Sequence, residues 1–152
     1  MKTLLILPLL AIVIASCSKN DTTSDPLADL TAKNSMVIQS DWIVTQFTDS
    51  GSDQTSSLQD YKFKFSSDGA VQAVSADSIF SGTWALALPS SKSDDSGNDA
   101  TDDKFNKFTI SISGSSPLDH LTHKWLIEKI TATEIWLRDD NVASKEILRF
   151  GK

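Results

Sequence analysis

YKFKFSSDGAVQAV, residues 61–74, is the stretch that decides the fold. Tyr61, Phe63 and Phe65 alternate with Lys62 and Lys64, so the rings fall on one face and the ammonium groups on the other. A period of two belongs to a β-strand with one face buried and the other in water. Asp68-Gly69 separates this run from Ala70–Val74, and Asp-Gly between two such segments is the strongest short-range signal for a hairpin.

The same texture continues in both directions. Upstream, Asp41–Phe47 (DWIVTQF) is rich in β-branched and aromatic residues and ends in the polar loop TDSGSDQTSS. Downstream, Ile79–Leu88 (IFSGTWALAL) contains Gly82, which marks a bulge or a close approach of two backbones. A polar loop over residues 89–104 follows. Phe108, Ile110 and Ile112 then alternate with Thr109, Ser111 and Ser113 within Phe105–Ser113. His123–Thr131, Glu134–Arg138 and Glu146–Phe150 complete the set.

These are eight expected strands with short connections, and no helix of ten or more residues is expected after residue 41. Such a chain is all-β. Its expected architecture is an eight-stranded antiparallel up-and-down barrel, with a β-sandwich as the alternative. A barrel of eight strands encloses room for side chains or one small ligand.

The amino terminus is different in kind. Lys2 precedes an apolar run from Leu4 to Ala15, broken only by Pro8, and small residues lead to Cys17, the one cysteine in the chain. A basic start, a short apolar segment and a small-residue site describe a secretory signal. The run is shorter than the roughly twenty apolar residues a membrane-spanning helix needs. Ile14-Ala15-Ser16-Cys17 resembles the lipobox of bacterial lipoproteins. That resemblance implies a diacylglycerol on the Cys17 thiol and cleavage just before it, so residues 1–16 are expected to be a signal peptide. A thiol is the nucleophile such chemistry requires, and no second cysteine competes for it.

Residues 17–40 then read as the lipidated cysteine and a flexible polar tether, with a short turn at Pro26–Ala32 that Asp25 caps. An aspartate directly after the lipidated cysteine resembles an inner-membrane retention signal of many Gram-negative bacteria. Ser18 stands there instead, which implies the outer membrane. The polar residues Asn20-Asp21 weakly resemble a surface-export signal. The membrane is thus the expected partner, through the lipid.

The formal charge is −6, and loss of Lys2 with the leader takes it to −7. An acidic body argues against nucleic acid as a partner. The remaining 136 residues are enough for one domain with a core of its own, expected over residues 41–152.

Trp42 in a first strand, the YKFKFSSDG hairpin, SGTW, HKWLIEKIT, TEIWLRD and EILRFGK together resemble the lipocalin-like domains of Gram-negative lipoproteins. The resemblance covers residues 41–152 and implies a barrel, with a small apolar or amphipathic ligand in it. Its motifs are structural and name no reaction. One departure is that Gly82 and Trp84 lie in the fourth expected strand, whereas the lipocalin G-x-W marks the first.

Sites for chemistry are few. DDSGNDATDDK carries five aspartates, but an EF-hand loop counted from Asp94 puts Asp99 where glycine is required and Phe105 where glutamate is required. His120 and His123, with Asp119 or Glu128, begin a zinc donor set without the cysteine or third histidine that would complete it. No serine lies in a nucleophile-elbow pattern. The expectation is therefore no enzyme, no cofactor and no metal.

The aromatic residues Trp42, Tyr61, Phe63, Phe65, Trp84 and Trp125 are the expected ligand-contacting set, set against the simpler role of filling the core. The strand around Trp125 is apolar on both faces, and an outward Trp125 or Trp136 would mark an interface. Two readings of function follow: a tethered binding module for a small apolar or amphipathic ligand, or an envelope interaction protein without a small-molecule site.

Overall fold

A computed structural model describes residues 25–89, 106–114, 116–141 and 143–152. Cys17, the expected signal peptide and the acidic run weighed for calcium lie outside these residues. Helix α1 spans Pro26–Ile38. Strands β1 (Asp41–Asp49), β2 (Ser52–Asp53), β3 (Lys62–Phe65), β4 (Ala70–Val74) and β5 (Ile79–Ala87) follow. Strands β6 (Lys107–Ile112), β7 (His123–Ile130), β8 (Glu134–Asp139) and β9 (Ile147–Gly151) complete the described strands.

Apart from β2, a two-residue return of β1, each strand pairs antiparallel with its neighbour in sequence. Pairing of β1 with β9, from Ile43↔Gly151 to Thr48↔Ile147, closes the sheet. The result is a closed eight-stranded antiparallel up-and-down barrel, not a sandwich, and it is consistent with a lipocalin-like barrel. Closure removes the sheet edges that would otherwise expose unpaired backbone groups.

The 61–74 hairpin forms as its sequence dictates. Gly69 has φ +84°, its N–H donates to Ser66 O (3.1 Å), and Asp68 Oδ1 accepts from Ala70 N (3.0 Å). A β-turn completed by a left-handed glycine thus joins the two strands. Gly82 is a close approach: a Cβ there would run into the Ser111 carbonyl on β6.

Through the middle of the barrel the inward positions are apolar. Trp42, Val44 and Phe47 (β1), Phe63 and Phe65 (β3), Val71 and Ala73 (β4), and Phe108, Ile110 and Ile112 (β6) are all buried. Outward positions carry Lys62, Lys64, Gln72, Ser111 and Lys124. That polarity is the reverse of a transmembrane barrel, whose lipid-facing band is apolar. Among the described residues no helix is long and apolar enough to cross a membrane.

Two irregularities change the alternation. Register shifts between Val44 and Gln46, and between Ile127 and Lys129. The second turns Ile130 inward with Trp125 and Ile127, leaving Leu126 as the buried outward residue of β7.

The helix differs from the sequence expectation of a flexible tether with at most a turn. Asp25 caps it through Leu27 N (3.0 Å) and Pro26 begins it, as read, but it runs on to Ile38. Lys33 and Asp29 pair one turn apart at 2.6 Å. The helix packs against β3, β5 and β7, and in its last turn Val37 is fully buried and Met36 and Ile38 are half-buried. Tertiary burial of that apolar end stabilises a helix too short to persist alone.

Candidate functional site

The two ends of the barrel are built differently. At one end the helix lies across the strands, and Trp42 Nε1 donates to Val37 O (2.8 Å). At the other end the inward rows change character. Phe47 is followed two residues on by Asp49, and Leu137 by Asp139. Trp125 is preceded two residues back by His123, and Leu148 by Glu146. Because β7, β8, β9 and β1 are consecutive neighbours, the four ionisable residues line one arc of the mouth.

Asp139 is 7% exposed. Its burial pushes the carboxyl pKa up, but hydrogen bonds from the Ser144 hydroxyl, the Asn141 backbone and the Asp140 side chain, with the nearby His123, outweigh that, so the net direction is downward. Glu146 goes the other way. Burial comes first, then the charges of Asp139 and Asp49, and together they raise its pKa against the opposing His123 and His120. Glu146 Oε2 is buried and accepts no hydrogen bond among the described residues. His123 Nε2 stands 3.9 Å from it, and the His123 ring meets Trp125 edge-on at 5.6 Å.

His120 sits on a single 3-10 turn, Leu118–Leu121, anchored by the fully buried Leu118 and Leu121. Trp125 Nε1 donates to Leu121 O (3.1 Å), and Thr122 Oγ1 bonds both backbone groups of Ile112. This places His120 Nδ1 2.9 Å from Asp49 Oδ2. Between that turn and the β1–β2 hairpin lies a cleft of about 380 Å³ lined by Phe47, Asp49, Gln54, Ser57, Pro117 and His120. Pockets of about 300–1,000 Å³ hold small ligands.

The aromatic residues expected to contact ligand are spent on one another. Phe65 meets Trp84, Phe108 and Phe150 edge-on at 5.2, 5.5 and 5.9 Å, and Phe63 meets Phe150 at 5.3 Å. Trp42, Phe63 and Trp125 have no exposed surface, and Trp84 Nε1 donates to Ser66 O (2.9 Å). Tyr61, half-buried, lies against Phe63 and Phe80.

His120 and His123 do not share a site: each faces a different carboxylate. Asp119 instead accepts from Gly114 N, and Glu128 lies on the outer face, 3.6 Å from Arg138. Trp136 is the outward tryptophan, with Lys129 and Arg149 over its ring at 4.5 and 4.3 Å. No local motif marks the mouth cluster, but the sequence does carry a signal for it. Each member is the next inward residue beyond a core position, and a meander makes those strands neighbours.

No family model and no curated protein matches the chain. Among solved structures, it is similar to a DUF4847 family protein from Bacteroides vulgatus ATCC 8482, with 11% sequence identity and a TM-score of 0.49. The alignment covers 78% of this chain and 95% of that one.

Proposed function

We propose that the chain is a lipoprotein anchored through Cys17 to the outer membrane, presenting a non-catalytic barrel that binds a small amphipathic ligand at its polar mouth. The observation that carries the binding reading is the cleft of about 380 Å³, with apolar walls at Phe47 and Pro117 and polar groups at Asp49 and His120. A ligand inside the barrel would have to displace rings already in edge-to-face contact. A ligand at the mouth displaces only water. The lipobox resemblance of residues 14–17 supports the anchor, which acyl chains stabilise by about 0.8 kcal/mol per buried CH2.

Two measurements test the two halves separately. Cys17→Ser should abolish labelling by radioactive palmitate and release the protein from the membrane fraction. Unchanged labelling and fractionation would remove the anchor from the reading. Native mass spectrometry of gently solubilised protein should show an adduct of small-molecule mass that Phe47→Ala and Asp49→Asn weaken. An adduct unaffected by both substitutions would move the ligand elsewhere.

A second reading, an envelope interaction protein, rests on Trp136. A tryptophan held between two cations on an outer face is of the kind enriched at interfaces. Recovery of the protein alone from gently solubilised envelope would count against it.

A further inference from the structure

His123, Asp139 and Glu146 come from three adjacent strands or their ends, and each offers one ligand-capable atom, all within 4.8 Å of one another. We propose that these three side chains bind one divalent transition-metal ion of the zinc type. The site is independent of the lipid anchor and of what fills the cleft beside it.

The donor set selects the class of ion. Calcium and magnesium take oxygen ligands, whereas an imidazole beside carboxylates suits zinc and its neighbours. Three protein ligands leave one position of a tetrahedral centre for water or for an oxygen or nitrogen of a bound molecule. Bonds of about 2.0–2.1 Å put tetrahedral ligand atoms about 3.3 Å apart. The trio must therefore close by no more than roughly 1.5 Å, and His123, whose side chain is 42% exposed, has room to turn.

The second observation is energetic. Glu146 Oε2 is buried, its side chain is only 12% exposed, and it accepts no hydrogen bond among the described residues. The His123 nitrogen at 3.9 Å is beyond hydrogen-bond reach. A buried carboxylate oxygen left without a partner is costly, and a bound cation supplies the missing one. Asp139 is oriented by the Ser144 hydroxyl, as outer partners orient metal-ligating carboxylates. The trio would then tie β7, β8 and β9 together at the mouth.

The test uses the full chain in detergent, stripped with chelator and titrated with Zn²⁺ by calorimetry, with Co²⁺ absorption as a second readout. One Zn²⁺ should bind per chain with micromolar or tighter affinity, and Co²⁺ should give the visible bands of a four- or five-coordinate centre. Glu146→Gln and His123→Asn should each weaken binding at least tenfold. Glu134→Gln, at the opposite end of β8, should leave it unchanged. Glu146→Gln keeps the side-chain shape, so near-ultraviolet circular dichroism of that variant separates lost binding from lost fold. Three results would overturn the site: no saturable Zn²⁺ binding by the folded wild type; affinity within twofold of wild type in Glu146→Gln; or a loss in His120→Asn as large as in His123→Asn, which would move the metal to the histidine pair.

Discussion

The helix end and the mouth of this barrel are closed by opposite physics. At the helix end, Val37 and Trp42 lie fully buried, and the one polar atom of the indole reaches a backbone carbonyl. At the mouth, Asp139 and Glu146 are equally inward but charged, and Glu146 has an oxygen with no hydrogen-bond partner among the described residues. The first end is built for stability. The second holds groups that a purely structural end would not need, which is how binding sites differ from cores.

Trp42→Ala strikes the stable end hardest, because it removes a buried indole and leaves the Val37 carbonyl unpaired. It should cost about 3–5 kcal/mol in urea unfolding. A loss below 1 kcal/mol would mean that the helix end collapses onto the gap. Val37→Ala removes two methyl groups from the same place and should cost about 2 kcal/mol. If its effect matched that of deleting nothing, the helix would not be part of the cooperative unit.

Glu146→Gln should act in the other direction. It removes a buried charge that faces two other carboxylates, so stability at neutral pH should rise by about 0.5–1 kcal/mol. Any marked destabilisation would show that the mouth is as structural as the helix end.

The pH profile sharpens the same contrast. The raised pKa of Glu146 means that its ionised form is disfavoured in the fold. As pH falls from neutral, the folded state takes up that proton before the unfolded chain does, and stability rises until the ordinary value of 4.5 is passed. Asp139 works oppositely: its contribution is present above the ordinary value of 3.8 and is lost as pH falls through its lowered folded value. Thermal melts of wild type minus Glu146→Gln should therefore differ most near neutral pH and converge in mild acid. A difference that stays constant with pH would remove Glu146's charge from the explanation.

How far these features were legible in sequence depends on the range of the forces behind them. The 61–74 hairpin was readable because alternation and Asp-Gly are local. The start of α1 was readable for the same reason, since Asp25 and Pro26 act on the next turn. Its continuation to Ile38 was not, because Met36, Val37 and Ile38 become helical by packing against strands 24 or more residues away. The inward turn of Ile130 was hidden too, since a bulge exists only relative to a partner strand. At the mouth, the donor types were visible one by one. Proximity in the chain joins His123 to His120, whereas the fold joins it to Asp139 and Glu146.

Local patterns in the chain specify the strand alternation, the 61–74 hairpin and the apolar inward rows, and they leave Gly82 open between a bulge and the close approach that the fold makes of it. These follow from backbone sterics and from the burial of side chains two residues apart. The register in which β1 meets β9, the cover that the helix forms over one end, and the meeting of a histidine and three carboxylates at the other are set by tertiary structure. Those outcomes depend on strand neighbours distant in sequence, and the free energy of bringing them together lies in contacts that no local pattern contains.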